Sequence, residues 1–348
     1  MEILKFLENV RSPFFSAVFG FITHLGEETV AIVVLCAIFW CINKRIAYGI
    51  GVAYFLSGLT VQGMKICFRI DRPWIVDPTL NPLPSALPQA TGYSFPSGHT
   101  QSAAVLFGSL GVQIKYKTIK ALCFFLVLLV AFSRMYLGVH TLLDVVTSLL
   151  ITLLFVFITE KILVGDPAVQ RRQPRGGVLD PAPVASDCAE ESGDTEQPVA
   201  VMRSAMPRER AGLTASSGNK TRELIPAFFM TLFACAIIVI AAVLYSGAKI
   251  ELQYLSDCLK AAGAGVGFVS GMYIERNFIV FSVNAKNILW QIIKFIIGIA
   301  GVLVIKEGLK LIIGSGLISD TLRYFIMLIW VTVFFPLIIK QFFTAPGT

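Results

Sequence analysis

YSFPSGHTQSAAVLFGSLGV, residues 93–112, joins a polar mouth to an apolar run. Pro96, Ser97, Gly98 and His99 are costly in hydrocarbon, and a bare membrane helix needs none of them. Proline suits the first turn of a helix, where no N–H is required. Serine caps free backbone N–H groups, and glycine lets an anion approach the backbone. A helix N-terminus built this way is a cradle for phosphate. Read alone, the stretch fits equally a capped helix with an incidental histidine, so the rest of the chain decides its meaning.

The 348 residues are 55% hydrophobic and 15% charged, with a mean hydropathy of +0.74. No soluble globular domain has this composition. Continuous apolar stretches near the ~20 residues of a membrane-crossing helix predict an all-α polytopic membrane protein. Their lack of alternation argues against a spanning β-barrel. Residues 1–163 are expected to form a six-helix core, with spans near 12–25, 28–43, 46–68, 98–115, 119–137 and 140–162. Residues 225–348 are expected to add about four spans, near 225–246, 258–274, 288–313 and 321–343. Between the blocks, residues 164–224 are rich in Pro, Gly, Ser and charge and contain no aromatic residue, a composition that predicts a disordered linker. Residues 1–11 read as an amphipathic lead-in without a cleavable signal peptide, the first spans doing the targeting.

The net charge of +7 does not point to nucleic acid, because the basic residues collect at helix ends, as membrane topology requires. Lys5, Arg11, Lys44, Arg45, Lys115, Lys117, Lys120 and Lys161 fall on one side, which the positive-inside rule makes cytoplasmic. Glu27, Glu28, the loop 71–95 and the turn 134–139 fall on the other. The seven cysteines are scattered without metal-ligand spacing and read as small core residues.

Two more polar clusters sit at span mouths on that second side. In KICFRIDRP, residues 65–73, Lys65 and Arg72 lie about two helical turns apart and can face one point. Alone they would read as cations snorkelling to an interface. In SRMYLGVHTLLD, residues 133–144, His140 and Asp144 are four apart and share a helix face. The carboxylate can accept the proton on one ring nitrogen and fix the tautomer, which leaves the other nitrogen as a nucleophile. An ionisable pair at membrane depth is functional by default. The chain has three histidines, and two lie in these clusters. Cations, a helix N-terminus, a histidine with its orienting acid and a second histidine together describe a phosphate-transfer site. The cations offset charge on the oxygens, one histidine attacks phosphorus, and the other protonates the leaving oxygen.

K-x6-RP, PSGH and SR-x5-H-x3-D, in this order, resemble the signature of the type 2 phosphatidic acid phosphatase superfamily. The resemblance covers the first block and is complete at every signature position; the ordered set, rather than any one motif, is what makes it specific. It implies that His140 forms a phosphohistidine intermediate and that Asp144 orients it. His99 would be the general acid and later activate water. Lys65, Arg72 and Arg134, with Ser97 and the Gly98 amide, would hold the phosphoryl oxygens. No metal and no cofactor are implied. The expected activity is hydrolysis of a lipid phosphate or diphosphate, of the isoprenoid diphosphate or phosphatidic acid type. The expected setting is a multi-pass protein of the cell membrane with its site on the extracytoplasmic side. Its partners would be the lipid substrate and membrane lipids, without nucleic acid, and a homodimer is left open. The alternatives are a lipid phosphotransferase, or a transporter or scramblase, which the number of spans supports.

The second block offers no further catalytic constellation. Gly263, Gly267 and Gly271 repeat every four residues, which permits close helix packing or dimerisation. His24, Glu27 and Glu28 read as a solvated helix-hairpin turn ahead of a role in shaping substrate access. The loop 74–93 reads equally as a lid or a plain connection.

Overall fold

The computed structural model describes residues 1–164, 209–314 and 316–343, and these are helical with no strand among them. In the first block, α1 (Glu2–Asn9) precedes α2 (Pro13–Thr23) and α3 (Glu28–Ala37), which continues to Ile42. They are followed by α4 (Lys44–Phe68), α5 (Gly98–Gln113), α6 (Lys117–Tyr136) and α7 (Leu142–Thr159). The second block holds α8 (Glu209–Ser246), α9 (Leu252–Ile274), α10 (Ile288–Ile313) and α11 (Leu317–Ile329), which continues to Phe343.

Among the described residues, 6 helices are long and apolar enough to cross a membrane, or up to 7 with one bent pair. The six are α4, α6, α7, α8, α10 and α11; the pair is α2 and α3, bent by 53°. The expected spans 12–25 and 28–43 thus make at most one crossing between them, and two further expected spans fall short for physical reasons. α5 has 16 residues, a rise of about 24 Å against a hydrocarbon core of ~30 Å. α9 carries Asp257, Lys260 and a run of glycines that dilute its hydropathy. Both are shielded by neighbouring helices, α5 by α3, α4, α6 and α7, and α9 by α4, α8 and α11.

α4 is the centre of the bundle, packed against α5 and α7 of its own block and α8 and α9 of the second. Its small residues allow this: Gly51 receives the Phe268 ring, and Gly63 the Ile237 side chain. One hydrophobic core therefore runs through both blocks, from Phe39, Trp40 and Ile50 to Phe268, Met272 and Phe335. Outward-facing residues such as Leu128, Leu150, Leu154, Phe157, Val243 and Ile296 are apolar and exposed, as a lipid-facing surface requires. The Gly263–Gly267–Gly271 stripe is filled from within the chain, by the Thr321 and Phe325 backbone and the Thr332 side chain of the α11 segment. α8 runs back to Glu209, into the segment expected to be a linker, because extending a stable helix costs less than nucleating a new one. Residues 165–208 of that linker lie outside the described residues.

The blocks are also joined by buried charge at the end where α4 begins. Glu275, fully buried, accepts from Lys44 Nζ at 2.8 Å, from the Phe281 N–H at 3.2 Å, and from the Tyr48 hydroxyl. Lys44 also donates to the Phe281 carbonyl at 2.6 Å. Removing one partner of such a pair strands the other in low dielectric. Glu275→Ala is expected to cost about 3–5 kcal/mol, read as an earlier thermal unfolding transition in detergent. The chemistry at the opposite end of α4, roughly 30 Å away along the helix, should survive in the protein that remains folded.

Outside the spans, α1 is pinned to the loop after α4 by Lys5 Nζ, 2.9 Å from Asp77 Oδ2, and Arg11 donates to the Tyr136 carbonyl at 3.1 Å, so these two cations lie with the loop 71–95 and not, as expected, with Lys44 and Arg45. The Thr79 hydroxyl and the Lys5 ammonium hold the Asp77 carboxyl down at about 2. This contact is complete at neutral pH and is lost only as the pH falls below the ordinary carboxylate range toward 2.

Candidate active site

The three polar clusters meet at one end of the bundle. Lys65, in the last turns of α4, donates to the Tyr93 carbonyl at 2.9 Å. Arg72 donates to the carbonyls of Gly92 at 2.8 Å, Thr91 at 2.7 Å and Val139 at 3.0 Å. The two cations thus sew the loop before α5 onto α4 and onto the α6–α7 turn.

Arg72 Nη1 also lies 3.0 Å from His140 Nε2. A guanidinium has only hydrogens to give, so Nε2 is the acceptor and Nδ1 carries the ring proton. Nδ1 lies 3.4 Å from Asp144 Oδ2 and 3.5 Å from Ser94 Oγ. Ser94 in turn donates to Asp144 Oδ2 at 2.6 Å. The carboxylate is held by local structure: Asp144 and Thr141 form a capping box at the start of α7, with Thr141 N–H on Asp144 Oδ2 at 2.8 Å. The Asp144 side chain is therefore both the carboxylate half of the capping box, with Thr141 as N-cap, and the ring-orienting acid. His140 and Asp144 are both buried.

Ser97 caps α5, accepting from the Thr100 hydroxyl at 3.0 Å and from the Thr100 N–H. At Gly98 a β-carbon would meet nothing within 4 Å, so this first helical residue faces open space. His99 Nε2 is buried and has no hydrogen-bond partner. The turn between α2 and α3 presses on the His99 backbone; a β-carbon at Gly26 would come within 2.6 Å of the His99 carbonyl oxygen. Arg134 is fully buried, with Nη1 donating to Thr23 Oγ1 at 2.8 Å, while its Nε and Nη2 have no partner. The charges of Lys65, Arg72 and Arg134 all act on both histidine rings. A buried guanidinium with unpaired donors is costly unless an anion shares the site.

Lys65, Arg72, Gly98, His99 and His140 line a cavity of about 390 Å³. Asp144 stands behind His140, Ser97 lies beneath the lining as a cap, and Arg134 is buried outside the lining. Sequence reading underrated several neighbours. Glu27 and Glu28 line the cavity, because the 53° bend between α2 and α3 turns this stretch inward. Glu27 accepts from Gln89 Nε2 at 2.6 Å and lies 2.5 Å from His24 Nδ1. The loop 74–93 is packed down as a connection: Trp74, Leu83, Ala86 and Ala90 bury Leu137 and Val139, and Leu83 N–H bonds the Leu137 carbonyl at 3.0 Å.

The far wall comes from the second block, as Asp257, Lys260, Ala261 and Ala264 of α9 and Tyr324 of α11. Tyr254 stacks on Tyr93 with ring centroids 4.3 Å apart, bracing the residue whose carbonyl holds Lys65. Asp257 and Lys260 had a signal in the sequence, two ionisable residues in an apolar helix. Ser94 lay in plain view beside PSGH, but only its contacts reveal its part. Tyr254 had no signal.

A side chain at Gly98 would enter the cavity without striking protein. Gly98→Ala should therefore leave thermal stability unchanged or raise it by up to about 1 kcal/mol. Anion binding should weaken in the same variant, measured as the concentration of inorganic phosphate needed to shift the melting temperature.

A multi-pass helical membrane protein in which cations and two histidines converge on one cavity belongs to the class built to handle phosphoryl groups within a membrane. Residues 46–164 match the PAP2 superfamily, and residues 259–346 match the PAP2 superfamily phosphatase, transmembrane extension. Together these matches take in more than half of the chain, which belongs to the PAP2 superfamily. Two crystal structures are similar to it. LpxE of Aquifex aeolicus is 28% identical, with 46% of this chain and 93% of that one covered and a TM-score of 0.42. A transmembrane PAP2 type phosphatidylglycerolphosphate phosphatase from Bacillus subtilis is 24% identical, with 51% and 86% covered and a TM-score of 0.40. No curated protein matches the chain.

Proposed function

We propose that the protein is a metal-independent phosphatase that hydrolyses a lipid phosphate or diphosphate through a phosphohistidine on His140. The observation that carries this reading is the buried Arg134 guanidinium with Nε and Nη2 unpaired, set among charges that converge on His99 and His140. In the first step the His140 Nε2 lone pair attacks phosphorus. The bond from phosphorus to the leaving oxygen breaks, and that oxygen takes a proton from His99, whose protonated ring the bound phosphate's charge favours. Asp144 and Ser94 hold the Nδ1 proton and offset the positive charge on the ring. Lys65, Arg72 and the Gly98 N–H at the helix start hold the phosphoryl oxygens from the lining, Arg134 joins them as its unpaired Nε and Nη2 turn in from outside it, and Ser97 fixes the helix start. Arg72 releases Nε2 as its Nη1 turns to a phosphoryl oxygen. In the second step His99 takes a proton from water, the oxygen attacks phosphorus, and the N–P bond breaks to return His140 and release phosphate.

Lipid is the favoured substrate class because the cavity opens among membrane helices, where a tail can stay in hydrocarbon. The basic residues Lys44, Arg45, Lys115, Lys117, Lys120 and Lys161, at helix ends away from the site, favour an extracytoplasmic site in the cell membrane.

The test is phosphate release by the purified protein in detergent containing EDTA. The panel is an isoprenoid diphosphate, phosphatidic acid, phosphatidylglycerol phosphate and sphingosine phosphate. Release from at least one lipid, unchanged by EDTA, is expected. No release by folded protein, or release that requires added metal, sinks the proposal.

A further inference from the structure

A second, apolar crevice opens from the catalytic cavity. The two share Glu28, Tyr54, Phe55, Ala264 and Tyr324. Chain direction gives its depth. On α4 the catalytic cavity is lined as far as Lys65, while the crevice reaches back to Ile50. From Lys65 to Ile50 the two spaces together run about 22 Å along the helix, of which the crevice adds the last ~6 Å beyond the shared Tyr54. On α3 the crevice descends from Glu28 to Cys36, on α5 to Leu106, and on α11 from Tyr324 to Val331. Every helix thus enters the crevice on the membrane-interior side of the polar cavity. Beyond the shared rim its walls are Ala, Ile, Leu, Cys, Met and Val side chains.

Building on the lipid phosphatase reading, we propose that the hydrocarbon tail of the substrate occupies this crevice, so that the C-terminal block forms about a third of the tail-binding wall. Ala31, Leu35 and Ile50 face it from the phosphatase core, and Met327, Leu328 and Val331 from α11. The continuity of the two spaces identifies the occupant. A molecule whose phosphate lies at His140 and whose remainder is apolar has a lined path from the cations to the middle of the membrane. The free volume of the crevice is about 30 Å³, so side chains turn to admit a chain; the flexible thioether of Met327 suits that role. Cations and histidines come from the first block, while the second supplies discrimination by tail length. This gives the extension a function where its sequence carries no catalytic set.

The inference is tested in two ways. Ala31→Leu and Val331→Phe narrow the crevice without touching the lining of the catalytic cavity. The ratio of kcat/KM for a long-tailed over a short-tailed phosphatidic acid is expected to fall at least tenfold in each. An unchanged ratio in folded variants overturns the proposal. The second measurement needs no turnover and so decides the crevice even if the phosphatase assay fails. A lipid phosphonate with a photoactivatable diazirine at its tail end is cross-linked to the wild-type protein in detergent. Labels are expected within residues 31–36 and 324–331, and to be displaced by excess unlabelled phosphonate. Labels confined to outward residues such as Leu150 and Leu154 overturn it.

Discussion

Replacing His140 with asparagine is expected to lower phosphate release at least about 10³-fold, with the protein still folded. The ring nitrogen that faces Arg72 Nη1 at 3.0 Å is the one that carries the lone pair, which Arg72 holds until a phosphoryl oxygen takes its place. Asparagine keeps a polar group for the Arg72, Ser94 and Asp144 partners, so thermal unfolding should move little. Asp144→Asn should cost less activity than His140→Asn, because the nucleophile remains and only its tautomer and charge balance suffer. It should cost more stability, because Asp144 also completes the capping box of α7. A transporter or scramblase would keep its transport in the His140 variant, so the same protein separates the two classes of function.

Arg134→Leu is the second large effect, and its two readouts should move in opposite directions. Activity should fall about 10²- to 10³-fold, the usual cost of removing a positioned donor to a developing oxyanion. Stability of the substrate-free protein should rise, by about 1–3 kcal/mol, because a buried charge with unpaired donors is replaced by an apolar side chain. Inorganic phosphate or vanadate should raise the melting temperature of the wild type. A ligand at 100 times its Kd stabilises by about 2.7 kcal/mol, and Arg134→Leu should lose most of that response. A strongly destabilised variant that still responds to phosphate would show that Arg134 is a packing element instead.

Five residues of the cavity lining, Lys65, Arg72, Gly98, His99 and His140, were legible because they are written locally. Lys65 lies near the end of α4 with Arg72 seven residues on, Gly98 and His99 open α5, and His140 and Asp144 are four apart. Short spacing, rather than a shared helix face, keeps each pair together: α4 stops at Phe68, and His140 precedes the Thr141 N-cap of α7. What was not legible depends on distance in sequence. Asp257 and Lys260 stand out as ionisable residues in an apolar helix, but that α9 and α11 close the cavity follows only from Gly51 admitting α9 against α4 and from Gly263, Gly267 and Gly271 admitting α11 against α9. That Glu27 and the exposed Glu28 line the cavity was not legible, because the bend after α2 comes from tertiary packing of Gly26 on His99. α5 looked like an ordinary span in a hydropathy reading, yet its 16 residues are enclosed by other helices, and its polar mouth sits at the site. Arg72 was expected simply to hold phosphate. Its bonds to three carbonyls show that the same side chain also fixes the loop that carries Ser94.

The central claim is a covalent intermediate on His140, and rapid quench tests it most directly. Protein mixed with a lipid carrying ³²P in its terminal phosphate, in EDTA and detergent, is stopped in alkali within one turnover and digested. The account predicts an alkali-stable, acid-labile label on the peptide containing His140, which disappears on chase with unlabelled lipid and is absent from His140→Asn. Phosphate released over many turnovers without any protein-bound label, or a label on a different residue, would contradict it.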